Sequence, residues 1–573
     1  MKKGSKKLHN EVVFKPYTQD QMWLLPPSLG ELIPENHIVR LVNEAIEGMD
    51  MSLIVKAYEG GGASNYHPKM LLKALVYGYI EKLYSSRRIE KATKENICFM
   101  WLCGMQQPDH NTINRFRKGQ LKNTVKDVFA QVLLYLIDKE VVRIEDYYVD
   151  GTKIESVANR YTFVWAKNIA RYKNGLLEKI ANLVEQIEQT NEEAESESVR
   201  NEQGVPLIQN SEDLQSTISK LNGQLKDEFG KNKKLKKKVK KLEEEHLKKL
   251  QEYENHERKL DGRSSYSKTD KDATFMRMKE DHMKNGQLKP AYNIQMGTSD
   301  QFIVNYTIHQ TTTDWPVFIP HIQDTAATLS QIGQQLPKRI VTDAGYGSEQ
   351  NYDYIEGLGI ENYIKYPGFF REQKRSFKQN AFHTQNLYFN EIEDFYVCPM
   401  GQRLSYRYTK TVKSKLGYES KIKVYQASRC EGCPLRGSCH KAKTNRIVNR
   451  NSNLQKHRKI AKENLWSLRG IRLRKQRNFD VEAVFGHLKS NRGFKRFLLR
   501  SLPKVNIEFG LLAIAHNIKK WWAVLQFAKI IHLIPNPQPP NTNPPASALL
   551  NPNKTLFKLI CYSRTSQTIS LGF

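Results

Sequence analysis

The chain has 573 residues, enough for two or three domains with sizeable cores. Its 90 Lys and Arg stand against 60 Asp and Glu, a formal net charge of +30, so the expected partner is a polyanion, nucleic acid before any other. The apolar runs, such as 132–137 and 509–514, are far too short to span a bilayer, and the basic N-terminus has no apolar stretch behind it to make a secretory signal. Seven cysteines, four of them grouped late in the chain, suit reduced thiols or a metal site rather than a disulfide framework. The expectation is a cytoplasmic, nucleoid-associated protein with no membrane partner.

Residues 1–143 read as helical. Pro34 is expected to open a first helix with His37 to Met49 as its body, and helical patterning resumes at Pro68. Asp109 or Asn111 is placed to cap a helix beginning NTINRFRKG, which carries Arg115 and Arg117 at the position from which helical DNA readers contact a groove or phosphates. An all-α DNA-binding domain is expected here.

From residue 144 the pattern changes. Tyr147 to Val149 form a short β-rich run that should end at Asp150-Gly151. Residues 168–260 are highly charged, with Leu214, Ile218, Leu221 and Leu225, then Leu235, Val239 and Leu242, at alternating four- and three-residue steps. An antiparallel coiled-coil hairpin, reversing near Gly204 and Pro206, is expected as an insertion. Tyr292–Met296 and Phe302–Ile308 then read as a hairpin around the turn GTSD, and 313–329 as a helix. Ile340-Val341 read as a strand ending at Asp343, followed by a Gly-rich turn, a helix and the strand ENYIKYP. Without the insertion, an α/β unit with a mixed sheet remains over 144–525.

A second insertion, 395–445, is Cys-rich. Cys398 precedes Cys430-x2-Cys433-x5-Cys439, and the close pair has the spacing of a structural Zn²⁺ site, with His440 as a substitute ligand. Further on, Glu482 lies in a basic helix whose Val481, Val484, Phe485 and Leu488 make a buried stripe. Lys489, seven residues later, should share the face of Glu482, and Arg477 and Arg492 flank them as phosphate-binding candidates. A helix over 507–528 should close the core, and 526–573 reads as a Pro- and Asn-rich tail.

Asp150, Asp343 and Glu482 are far apart in sequence, and only the fold can gather them. In one cleft they would repel one another unless cations neutralised them, and hard carboxylate oxygens favour Mg²⁺ or Mn²⁺. Phosphodiester cleavage is the natural chemistry of such a site. The segments VDGTKIESVANRYTFVW, KTDKDATFMRMKEDHMKNGQLKPAYNIQ, TDAGYGSEQNY and DVEAVFGHLKSNRGFKRF resemble, in that order, the motifs of insertion-sequence DDE transposases. The resemblance covers most of residues 15–525. It implies an RNase H-like core, Asp150, Asp343 and Glu482 as the metal-binding triad, and Lys489 as the last residue of a Tyr-Arg-Glu-Lys pattern. That pattern is incomplete, because Asn478 stands three intervening residues before Glu482 and the nearest arginine is Arg477. The implied partners are transposon-end DNA and target DNA, with a homodimer on DNA. The rival readings are a catalytically inactive DNA-binding relative and a metal-dependent nuclease without strand transfer.

Overall fold

The computed structural model describes residues 28–56, 58, 65–189, 208–227, 233–278, 286–414 and 416–533. The expected entry arm before residue 28, the reversal near Gly204 and Pro206, and the tail beyond 533 lie outside the described residues. No described helix is long and apolar enough to cross a membrane.

The N-terminal part consists of α1 (Ile38–Glu47), α2 (Ser52–Val55), α3 (Pro68–Ile80), α4 (Ser86–Glu95), α5 (Ile97–Leu102), α6 (His110–Lys118) and α7 (Val125–Asp138). Asp109 caps α6 as expected, its carboxylate accepting from the Thr112 N–H at 2.6 Å. Pro34 does not open α1. His37 does, its ring Nδ1 accepting from the Val39 N–H, while Pro34 lies in the preceding turn and accepts from the His37 N–H. The α3 helix is buried on almost every side, because MLLKALVYGYI is apolar all round and meets other helices on each face.

The central sheet has six strands: β1 (Asp146–Glu155), β4 (Thr274–Arg277), β5 (Leu288–Ser299), β6 (Phe302–His309), β7 (Arg339–Thr342) and β8 (Glu361–Ile364), with β2 (Phe163–Trp165) and β3 (Ser265–Ser267) forming a separate pair. β5 is antiparallel to β1, β4 and β6, whereas β1, β7 and β8 are mutually parallel. The β5–β6 reversal is made by Asp300 and Gln301, with φ of 51° and 67°, as a two-residue hairpin turn of this twist requires. One expectation is corrected here. β1 does not stop at Asp150; it runs on to Glu155, because its second half finds a full antiparallel partner in β5, with Asp150 opposite Met296 and Gly151 opposite Gln295.

Between β2 and β3 stand α8 (Ala166–Gln189), α9 (Ser211–Asp227), α10 (Lys233–Lys241), a π-helical turn (Leu242–Leu247) and α11 (Lys248–Leu260). Their apolar positions, among them Ile180, Val184, Leu214, Ile218, Val239 and Leu250, form one cluster separate from the main core. The expected two-stranded hairpin is thus a bundle of three arms, with α10 to α11 as the returning arm. Three apolar stripes at helical spacing bury one another better than two. The β2–β3 pair closes its base.

α12 (Phe318–Gln331) follows β6, α13 (Glu349–Gly357) lies between β7 and β8, and the short α14 (Arg375–Lys378) follows β8. A second, five-stranded antiparallel sheet follows: β9 (Tyr388–Asn390), β10 (Phe395–Val397), β11 (Arg403–Lys413), β12 (Glu419–Ala427) and β13 (Ile447–Arg450), with α15 (Arg436–Cys439) before its last strand. This unit is wider than the expected 395–445. The chain then forms α16 (Ser452–Trp466), α17 (Leu468–Phe479), α18 (Val481–Gly486), a π-helical turn (His487–Asn491) and the long α19 (Leu502–Leu533). α19 packs on α3, α7 and β6. One continuous apolar core therefore reaches from Ile33 to Trp521, and residue 143 marks no break in it.

Candidate active site

The parallel half of the sheet brings the first two acids together. β1 and β7 pair in parallel with Tyr148 opposite Val341, so Asp150, midway along β1, lies level with Asp343, just past the carboxyl end of β7. That end is where ligands bind in open α/β sheets. Asp343 caps a short 3₁₀ turn and accepts from the Gly345 N–H at 2.8 Å, which fixes its carboxylate. Asp150 accepts from its neighbour's Gly151 N–H at 2.9 Å.

The third acid arrives on α18. Val481, Val484, Phe485 and Leu488 are buried as the spacing predicts, and α18 packs on β1 and β5. Glu482 points off this stripe, its side chain about half exposed. Arg477, at the end of α17 and only 5% exposed, joins the parts: one Nη donates to Asp150 at 3.0 Å and the other to Glu482 at 2.6 Å. Asp150 titrates at about 6, raised first by its burial and further by the charges of Asp343 and Glu482, against the lowering effect of Arg477. Asp150 is thus within the field of both Asp343 and Glu482.

Two more groups belong to the site. Asp314 accepts from Asn293 and from Gln295, both at 2.9 Å, and Gln295 also accepts from the Tyr346 hydroxyl. A Cβ on Gly151 would stand 2.5 Å from Gln295 Nε2 and 2.6 Å from Asp314 Oδ1, so the residue after Asp150 has to be glycine. Lys365 follows β8, which pairs with β7 through Thr342 opposite Ile364, so it abuts Asp343. Its ammonium is lowered in pKa first by burial and then by Arg477. The sequence carried a signal for Lys365: it ends the strand after the one that ends in Asp343.

The basic candidates fare differently. Arg117 is buried and donates to the Tyr84 carbonyl and to Asn114. Arg492 is buried and donates to the carbonyls of Tyr79 and Ile80. As placed, both are buried and held by acceptors of the protein itself. Sequence shows a charge but not the carbonyls that will claim it. Lys489 is buried too, in the π-helical turn, while Glu482 is not. The wider winding of that turn shifts the phase of the helix, so the two do not share one face as a regular helix would place them. Arg115 remains exposed.

Cys398, Cys430, Cys433 and Cys439 line one cavity of about 20 Å³, together with His440 and Arg446. The sulfurs of Cys398 and Cys430 accept from the backbone N–H groups of Gln402 and Arg446, both at 3.3 Å, and Arg446 Nη donates to Cys439 at 2.9 Å. Both ring nitrogens of His440 are buried without a partner among the described residues. The only described set of three metal-ligating groups with all ligand atoms within 4.8 Å is elsewhere: Asp353, Glu356 and His457. There each ring nitrogen of His457 faces a carboxylate, Asp353 at 2.5 Å and Glu356 at 3.5 Å, which pins α16 to α13 and leaves no ring nitrogen for a cation.

Two family comparisons bear on this geometry. Residues 397–522 match the family described as transposase DDE domain, and residues 27–119 match the one described as transposase domain DUF772. The first match includes Glu482 and the cysteine cavity; Asp150 and Asp343 fall outside both. No curated protein matches the chain. Together the two matches indicate an insertion-sequence DDE transposase.

Proposed function

Taking the chain as an insertion-sequence DDE transposase, we propose that it binds the ends of its element, cleaves DNA there and joins the freed 3′ end to target DNA. The observation that carries this reading is the joining of Asp150 and Glu482 by Arg477 beside Asp343, where β1 lies level with the carboxyl end of β7. The strand order, an antiparallel β6–β5–β1 run continued by parallel β7 and β8, supports an RNase H-like core.

Asp150, Asp343 and Glu482 are the residues that would hold Mg²⁺ or Mn²⁺. When bound, such ions activate the attacking oxygen and stabilise the leaving one. The chain's own part is positional. Gly345 fixes Asp343, the β1–β5 ladder fixes Asp150, and Arg477 ties Asp150 to Glu482. Lys365 adds positive charge beside the cleft for the phosphate. In the first reaction water attacks phosphorus and the P–O3′ bond breaks, leaving a 3′-hydroxyl. In the second that hydroxyl attacks a target phosphodiester and displaces its 3′-oxygen. Two ends held at once call for a homodimer on DNA. We assign a structural Zn²⁺ to Cys398, Cys430, Cys433 and Cys439, with His440 as the alternative ligand; a cavity with room for about one small sphere suits a single ion.

The test is cleavage of labelled duplex carrying the element's own ends, with Mg²⁺ and with Ca²⁺. Nicking at the ends with Mg²⁺, lost in Glu482→Gln while binding persists, is the expected result. Binding without cutting by the unaltered protein under any divalent metal would make it a DNA-binding relative instead. Cutting without joining would make it a nuclease.

A further inference from the structure

With Arg117 and Arg492 turned inward, the surface that meets DNA has to be sought elsewhere, and the second sheet offers one. Residues 395–450 contain thirteen Lys and Arg but two Asp and Glu. Beyond the short β10 pairing at 403–405 the outer edge of β11 is unpaired among the described residues; β12 keeps β13 on its far side at 423–426, so β11 and β12 run on as a two-stranded ribbon over 410–413 and 419–422. On β11 nearly every residue from Ser405 to Lys413 is exposed on both faces, including Tyr406 and Tyr408, the latter 56% exposed.

Three of the ribbon's cations already have acidic partners: Arg403 with Glu393, Lys413 with Glu419, and Lys423 with Asp394. Arg407, Lys410 and Lys421 have none among the described residues. Arg407 sits at the bulge between Tyr406 and Tyr408. Lys410 and Lys421 lie on opposite faces, since Lys410 pairs with Ile422 while Lys421 pairs with Thr411. The ribbon is also held rigidly toward the catalytic core. Tyr418 donates to Asp353 and Ser420 to Glu349, both on α13, the helix that follows the Asp343 turn.

We propose that the β11–β12 ribbon is a docking surface for duplex DNA, seated in the major groove with Arg407, Lys410 and Lys421 on the phosphates. A two-stranded ribbon fits the B-DNA major groove, and cations on both faces match a groove walled by a phosphate strand on either side. The two-stranded tip at 410–413 is the part that enters the groove, and the nine residues 405–413 of the open β11 edge span about 30 Å, close to one helical turn of DNA. Tyr406 and Tyr408 add contact area on the arms. The contacts are to phosphate, so they position the duplex relative to the triad without selecting sequence. This inference rests on the reading of the chain as a protein that acts on DNA.

The test is fluorescence anisotropy of a random-sequence duplex across a salt series. It compares the unaltered chain with the triple variant Arg407→Gln, Lys410→Gln, Lys421→Gln. Thermal unfolding of each variant verifies folding; a second triple variant to Ala is used if the first unfolds early. The triple variant is expected to bind at least about tenfold more weakly and to lose about three units of the log–log salt slope, about one per phosphate contact. Unchanged affinity and slope in a folded triple variant would overturn the inference and leave these charges as guards of an open sheet edge. Absence of salt-dependent DNA binding by the unaltered chain would instead overturn the reading on which it rests.

Discussion

At Gly151 the chain has space for a hydrogen and nothing larger. Gln295 and Asp314 are themselves locked by hydrogen bonds to Asn293 and Tyr346, so they cannot swing away from an added methyl. Gly151→Ala should cost about 1–3 kcal/mol in denaturant unfolding and lower cleavage further by displacing Asp150. Cleavage retained in a stable Gly151→Ala protein would show that the crowding does not reach the carboxylate. A second residue sets a pH dependence. Glu508 is buried on α19, accepts from the Leu498 and Leu499 N–H groups, and is raised by burial from an ordinary 4.5 to about 7. A carboxyl raised in the folded state keeps its proton while the unfolded chain loses it. Stability is therefore full below about pH 4.5, declines as pH rises to about 7, and is level above, with a total on the order of 3 kcal/mol. Glu508→Gln should flatten that decline in melting temperature measured from pH 4.5 to 7; an unaltered slope would assign it to other groups.

Single elements carry the next predictions. The corner between α16 and α17 closes over Gly470, where a Cβ would stand 2.0 Å from the Asn464 carbonyl oxygen. Backbone cannot yield as a side chain can, so Gly470→Ala should destabilise the fold by about 1–3 kcal/mol or more and misplace α17, which carries Arg477. A loss of cleavage with unchanged DNA binding would be its signature. In the second sheet, purified protein should hold about one equivalent of zinc, and Cys430→Ser should lower both zinc content and melting temperature; zinc-free protein of unchanged stability would remove the metal from the account. These elements also show what the sequence made legible. The strands β5 and β6 and the strand before Asp343 were readable because their apolar residues, buried in the sheet, stand between turn residues such as Gly297 to Asp300 and Asp343 to Gly347. The β11–β12 ribbon was not, since strands exposed on both faces lack the apolar alternation that marks a strand. Asp150 read as a strand end because Gly151 looks like a turn, when it is a glycine required by its neighbours. The burial of Arg117 and Arg492 was not legible, because charge is visible in sequence and the carbonyls of Tyr84, Tyr79 and Ile80 that hold them are not.

Over the whole molecule, the N-terminal helices and the sheet share one core, and α19 runs across both. The segment with Glu482 is bolted to the N-terminal part as well, through Arg492 to α3 and the Tyr84 hydroxyl to the Arg492 carbonyl at 2.9 Å. Damage at the α3–α4 corner should therefore reach the triad through packing. The central claim is that Asp150, Asp343 and Glu482, from three distant parts of the chain, make one divalent-cation site. It is tested most directly by Mn²⁺ titration of the full chain, followed by electron paramagnetic resonance, which requires no knowledge of the element's ends. The account predicts Mn²⁺ binding that Mg²⁺ displaces, weakened in Asp150→Asn, Asp343→Asn and Glu482→Gln alike and unaltered in Arg407→Gln. Binding in all three carboxylate variants that equals the unaltered chain would contradict it.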